Sequence, residues 1–259
     1  MKKKIHETAI IDSKAELGAD VEVGPYCIIG KGVKIGRGVR LLSHVVIEGH
    51  SEIGENCIIH PFAGIGLPPQ DLKYKGEPTK LIIGRNNTIR EYVTIHRASV
   101  GGDGATVVGD NNFLMGYVHI AHDCKVGSHV TMANVATLAG HVMVEDYAVI
   151  GGLAAAHQFT RIGKYAMISG LSGIVQDIPP YMVAAGSRAK LFGPNSIGLK
   201  RHGFSDEVMH AIKKAYKTLF RDKRTLKDAI RKVQEDSGNL PEIQHLLSFI
   251  EKNKRGICR

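Results

Sequence analysis

A large aliphatic residue returns every six positions along most of this chain, and few folds tolerate that period. Stepping by six from Ile5 meets Ile11, Leu17, Val23, Ile29, Ile35, Leu41, Ile47, Ile53, Ile59 and Ile65. The phase resumes after an interruption at Ile83, Ile89 and Ile95. It restarts, shifted, at Val108 and runs through Leu114, Ile120, Val126, Met132, Leu138, Val144, Ile150, Ala156, Ile162 and Ile168 to Ile174. Only Ala156 among these is not Ile, Leu, Val or Met, in a chain that is 43% hydrophobic overall. Helical and simple strand periods do not produce a strict six. A solenoid of short strands does. Each unit makes one flat wall with one aliphatic pointing inward, and three walls close a triangular coil. Residues 18 apart then stack one above the other, with coils about 4.8 Å apart. Each buried aliphatic contributes about 1.5–3 kcal/mol gross, most of it cancelled by chain entropy. Glycine often follows the aliphatic, as at Gly24, Gly36, Gly54, Gly127, Gly151 and Gly163. This predicts corners that need permissive backbone angles.

Residues 67–80 (LPPQDLKYKGEPTK) and 99–106 (SVGGDGAT) cannot stay in register. They are expected to project as loops, which on a rigid scaffold often carry function. The repeat fades after Ile174, near Pro179-Pro180. Residues 193–204 read as a connection to a helical tail. Ser205 is a plausible N-cap followed by Asp206 and Glu207, with Val208, Ile212, Ala215, Tyr216 and Leu219 on one face. A further helix is expected from Thr225 to about Val233, and another starting at Pro241. The chain is therefore expected to be mainly β, a parallel β-helix over residues 1–190 with a C-terminal helical domain over 191–259.

Net charge is +9 and tryptophan is absent. A basic balance suits acidic partners, but no aromatic-interleaved basic motif argues for nucleic acid. Cys27, Cys57, Cys124 and Cys258 form no CxxC pair, which argues against a zinc ribbon or disulfide framework and for reduced thiols in the cytoplasm. The start Met1-Lys2-Lys3-Lys4 is charged, but His6, Glu7 and Asp12 interrupt any apolar run behind it. No stretch approaches the ~18 apolar residues of a membrane span.

Five of 13 histidines lie between positions 119 and 157. Coil arithmetic gathers three of them. His141 is one coil above His122 and one residue along; His157 is two coils up and one residue back. Gly140 lies directly over His122, and Asp123 directly under His141. His129 falls on a different side. An imidazole near neutrality can accept and return a proton, so His122 is a candidate general base. The Gly140 amide is a candidate donor to a developing oxyanion, and Asp123 a carboxylate that orients the imidazole. The competing reading is a file of corner histidines bonded to backbone.

The segments HIAHDCKVG (119–127), TLAGHV (137–142), GGLAAAHQF (151–159), QDLKYKGEPT (70–79), TIHR (94–97) and GLKRHGFS (198–205) closely resemble the UDP-N-acetylglucosamine O-acyltransferase family of lipid A biosynthesis, within the hexapeptide acyltransferase superfamily. The resemblance covers nearly the whole chain. It implies a left-handed helix, a hand that the repeat alone does not supply and that departs from the usual crossover rule. It further implies a homotrimer with active sites between subunits, and transfer of a 3-hydroxyacyl group from acyl carrier protein to the glucosamine 3-position of a UDP-sugar. His122 matches the general base, Asp123 its partner and Gly140 the oxyanion amide. His119, His141, His157 and Gln158 match supporting site residues. Gln70, Asp71 and Lys73 match substrate contacts, and Asn195 and Arg201 match the nucleotide and carrier-protein region. Lys73, Lys200, Arg201 and tail cations such as Arg221 would meet a diphosphate and an acidic carrier. Gly170 matches the acyl-chain ruler, and a glycine there points to a longer chain. No cofactor or metal is implied. The chain departs from the family at His202, where known members carry a second arginine, and it lacks a glutamate after Asn195, where Ser196 and Ile197 stand. Hydroxyl and amine acceptors both stay open.

Three alternatives share the repeat. The γ-type carbonic anhydrases bind zinc between subunits, but their close histidine pair is five apart, whereas His119 and His122 are three apart. A related N-acyltransferase carries a uridine-binding domain before its repeats, and here the repeats begin at Ile5. A non-catalytic scaffold would need neither the loops nor the histidine file.

Overall fold

The computed structural model describes residues 4–259; the basic start Met1–Lys3 lies outside them. Each six-residue unit contributes one short strand, most of them two residues long, and successive strands go to three different walls. Glu22–Val23, Ile28–Ile29 and Lys34–Ile35 lie on the first, second and third walls in turn. The walls are sheets of 11, 9 and 8 strands, parallel except for the last strand of the first. Partners are 18 residues apart, as in Val23↔Leu41 and Ile29↔Ile47. The architecture is a left-handed parallel β-helix, as expected from the repeat and its family resemblance.

Every repeat aliphatic from Val23 to Ile174 is buried in the prism core. A second inward position lies two residues earlier and takes smaller side chains, such as Val21, Val33, Val45, Ala136 and Ala148. Cys27, Cys57 and Cys124 sit there as small hydrophobes, and all four thiols, Cys258 included, are free and buried. Ile5 is 46% exposed, against the inward placement expected of it, because no coil lies beneath the first one.

The corners correct the expected role of glycine. The left-handed backbone falls two positions after the repeat glycines and is mostly not glycine: Asp20, Tyr26, Asn56, Asn86, Asn111, His129, Tyr147 and Tyr165 all have φ between 55° and 62°. The repeat glycines serve close approach instead. A Cβ at Gly54 would lie 2.4 Å from the Gly84 carbonyl carbon, and one at Gly151 would lie 2.4 Å from the Gly170 amide. Coils stack so tightly at this point that no side chain fits between them.

Both insertions leave the prism at the same corner. The first runs from the second-wall strand Gly64–Leu67 to the third-wall strand Lys80–Ile83, and the second from Thr94–His96 to Ala105–Val108. The second–third corner therefore carries every excursion from the repeat before the tail.

Four helices follow: α1 (Ser196–Arg201), α2 (Asp206–Phe220), α3 (Leu226–Ser237) and α4 (Pro241–Glu251). Ser205 caps α2 as expected, Thr225 caps α3, and Pro241 opens α4. The short α1 was not expected; it forms because the Asn195 side chain accepts from the Gly198 amide and caps it. Arg161 fastens the tail to the prism. It pairs with the buried Asp177 at 2.7 Å, donates to the Phe249 carbonyl at 2.8 Å and lies over the Phe249 ring. Arg221 does similar work, donating to the Leu191 carbonyl at 2.6 Å and covering Tyr216. Arg221 is nonetheless exposed, so its charge stays at the surface.

Candidate active site

The second–third corner turns through Asp123, whose φ of 60° is the left-handed corner angle. That turn points the carboxylate back beside its neighbour. His122 Nδ1 lies 2.8 Å from Asp123 Oδ2. With Nδ1–H donating to the carboxylate, Nε2 is left as the proton acceptor. The dyad is sheltered, with the Asp123 side chain 3% and that of His122 17% exposed. Asp123 Oδ2 also accepts from the Ser99 amide at 3.0 Å, and the Asp123 amide donates to Thr106 Oγ1 at 2.8 Å. Residues of the second insertion thus hold the carboxylate.

One coil up, the His141 amide donates to the His122 carbonyl at 3.0 Å, and the two rings meet edge to face at 5.2 Å. His141 Nε2 is 3.8 Å from Asp123 Oδ2, and its ring stacks on Phe159. Gly140 lies over His122 as coil arithmetic required: a Cβ there would sit 2.6 Å from His122 Cε1 and 2.8 Å from Nε2. Among the described residues the Gly140 amide donates to no acceptor, while those of Ala139 and His141 are both engaged. An unengaged N–H thus lies in the residue stacked directly over the imidazole. His122, Asp123 and His141 offer ligand atoms within 4.8 Å of one another, a spacing that a cation could also use.

Below the dyad, His119 Nδ1 lies 2.7 Å from Thr94 Oγ1, and its ring meets His96 edge-on at 5.1 Å. Burial lowers the pKa of both, and that of His96 falls to about 4. His96, Thr94, Ser99 and Thr106 were not singled out from the sequence. Thr94 and His96 lie in the quoted TIHR segment, but the repeat marks only Ile95 there, and Ser99 opens an insertion that no period describes. In the first insertion, Asp71 Oδ2 accepts from Ser99 Oγ at 2.5 Å and Oδ1 accepts from the Lys73 amide at 3.0 Å. The Ser99 bond is the main cause that holds the Asp71 carboxyl below its usual range, and His122 adds to it. Gln70 and Lys73 are exposed on the same loop.

The other candidates are dispersed. His157 follows the file upward, but its Nδ1 meets Arg255 of the tail at 2.7 Å; Gln158 beside it is exposed. Gly170 lies on the first–second corner. Asn195 donates to the Tyr165 carbonyl, and His202, next to Arg201, sits edge-on to Tyr147 and Tyr165, so this group borders the third–first corner. His129 is also on that corner, exposed and stacked on Tyr147. Within one chain the expected residues therefore occupy all three edges of the prism.

A left-handed hexapeptide prism with an imidazole–carboxylate dyad and a free glycine amide at one corner defines a hexapeptide acyltransferase. Matches to family models agree: "Bacterial transferase hexapeptide (six repeats)" over 32–67 and 105–140, and "Udp N-acetylglucosamine O-acyltransferase; Domain 2" over 177–258. The chain belongs to the UDP-N-acetylglucosamine O-acyltransferase family. It is 69% identical over 256 residues, 99% of each chain, to a curated relative from Thermodesulfovibrio yellowstonii named acyl-[acyl-carrier-protein]--UDP-N-acetylglucosamine O-acyltransferase. The solved structure of LpxA from Acinetobacter baumannii is 45% identical with a TM-score of 0.96, covering 98% of this chain and 99% of that one. The UDP-N-acetylglucosamine acyltransferase structure from Bacteroides fragilis is 39% identical with a TM-score of 0.96, covering 98% and 100%.

Proposed function

We propose that this chain transfers a 3-hydroxyacyl group from acyl carrier protein to the glucosamine 3-hydroxyl of UDP-N-acetylglucosamine, the first step of lipid A biosynthesis. The observation that carries the mechanism is the His122–Asp123 dyad under the free Gly140 amide. His122 Nε2 takes the proton of the acceptor hydroxyl as its oxygen attacks the thioester carbonyl. The carbonyl oxygen gains charge beside the Gly140 N–H, which stabilises it. Asp123 stabilises the imidazolium. The intermediate then collapses, the C–S bond breaks, and His122 returns its proton to the leaving thiolate. The name of the 69% identical relative favours a hydroxyl over an amine acceptor.

We propose that the chain works as a homotrimer, a reading that the dispersion of the candidates supports. Gln70, Asp71, Lys73, His119, His141, His157 and Gln158 line or flank the dyad corner, while Gly170, Asn195 and Arg201 lie on other edges. Prisms set side by side bring unlike edges of neighbours together. The first–second edge supports this reading, since it exposes a column of apolar residues that includes Tyr26, Phe62, Tyr92, Tyr117, Leu153 and Leu171. On this reading Gly170 borders the acyl groove and leaves it long, and Asn195 and Arg201 reach the nucleotide of a neighbour's site. The division into residues 1–190 and 191–259 is retained. Free buried thiols favour a cytoplasmic setting, and among the described residues no helix is long and apolar enough to cross a membrane.

The test is acyl transfer from a panel of 3-hydroxyacyl carrier proteins to both acceptors, read by product mass. His122→Ala is expected to lower turnover by about 10²–10⁴-fold with the assembly unchanged by light scattering. Equal activity in the variant would remove His122 from the mechanism.

A further inference from the structure

We infer that Ser99 is a positioning residue that ties the substrate loop to the catalytic carboxylate; this rests on the acyltransferase reading above. Ser99 is 2% exposed and opens the second insertion. Its two donors point to two different carboxylates. The amide donates to Asp123 Oδ2 at 3.0 Å, the same oxygen that holds His122 Nδ1. The hydroxyl donates to Asp71 Oδ2 at 2.5 Å. One buried residue thus fixes the distance between the dyad and the tip of the first insertion.

The base of that loop is anchored separately. Arg97 donates to the Gly66 carbonyl and to Tyr74 Oη, and Tyr74 donates to the Glu77 carbonyl. The Tyr74 amide also donates to the Asp71 carbonyl at 3.0 Å, which fixes the backbone of that turn but leaves the Asp71 carboxylate untouched. Apart from Ser99, the only polar partner of the Asp71 carboxylate among the described residues is the Lys73 amide within its own loop. Without the Ser99 hydroxyl, Asp71, Lys73 and the fully exposed Leu72 belong to a loop with no polar tie to the dyad. Hydrogen bonds to a charged acceptor are among the stronger ones. The tie therefore holds the Asp71 carboxylate near the dyad before substrate arrives, with lone pairs left over for the acceptor sugar. Pre-ordering of this kind lowers the entropic cost of binding. It acts on acceptor binding, because the amide that holds Asp123 survives any change of the side chain.

The experiment compares wild type, Ser99→Ala, Ser99→Cys, Asp71→Ala and the double variant Ser99→Ala/Asp71→Ala in the full-length protein. Wild-type turnover is measured first; an inactive wild type would count against the function itself and not against Ser99. Ser99→Cys is nearly isosteric and replaces a strong donor by a weak one, so it tests the bond even where Ser99→Ala fails to fold. The expected result is a KM for the UDP-sugar raised about tenfold in either Ser99 variant, with kcat and the KM for the acyl carrier protein within about twofold. In the Asp71→Ala background the Ser99 change should add almost nothing, since the two act through one bond. Isothermal titration with UDP-N-acetylglucosamine should show the same loss. Unchanged acceptor KM in both Ser99 variants, a loss confined to kcat, or additive losses in the double variant would each overturn the proposal.

Discussion

At the foot of the dyad, burial keeps the His96 imidazole neutral down to about pH 4, far below the ordinary histidine range. The unfolded chain takes up that proton near pH 6.5. Between these values the unfolded state binds more protons than the folded one, so stability rises with pH across the interval and falls as the medium is acidified. The loss is complete below about pH 4 and is on the order of 3 kcal/mol; His119, shifted the same way by burial and by His122, adds to it. Urea unfolding from pH 7.5 to 4.5 should therefore show a steeper decline for wild type than for His96→Leu at equal protein concentration. Parallel curves would mean that His96 is protonated in the folded protein. The same burial makes His96 unsuited to act as a cation at neutral pH.

Strand by strand, the prism depends on two kinds of glycine that look alike in the sequence. Gly151 donates to the Ile168 carbonyl at 2.8 Å, and its missing Cβ makes room for the Gly170 amide. Gly151→Ala should push the coils apart and cost about 1–3 kcal/mol or more. Gly32 has φ +78° at a corner, and a Cβ there would come only to 3.3 Å from the His50 side chain. Asparagine tolerates that backbone, as Asn56, Asn86 and Asn111 show in this chain, so Gly32→Asn should cost less than about 1 kcal/mol. Denaturant midpoints order the two variants, and the reverse order would refute the assignment of close approach to one and corner angle to the other. The helical tail follows a different logic. Arg161 and Arg221 fasten it because the prism offers them a buried carboxylate and a strand carbonyl.

For the whole molecule, the net charge of +9 is the term that reaches farthest. Lys73, Lys200 and Arg201 remain exposed for an acidic donor protein and a diphosphate, while Arg221 is engaged with the prism. The kcat/KM for acyl carrier protein should fall about tenfold or more between about 0.01 M and about 1 M salt, with kcat at saturation nearly constant. A series of initial rates across ionic strength checks this. A flat profile would indicate that the basic surface does not guide the encounter.

The six-residue period determined the three walls, the inward aliphatics and the vertical file of His122, Gly140 and His141, because a stacked coil turns linear distance directly into height. It also placed both insertions outside the register. The same arithmetic does not reach contacts whose partners come from outside the stack. His96 lies beside a register shift, Ser99 reaches Asp123 from an insertion and Thr106 from the strand that follows it, Asn195 caps a helix, and His157 meets Arg255. Those contacts depend on how irregular backbone folds back onto the regular prism. No period encodes that path, since it is settled only when loop and tail find their hydrogen-bond partners in three dimensions.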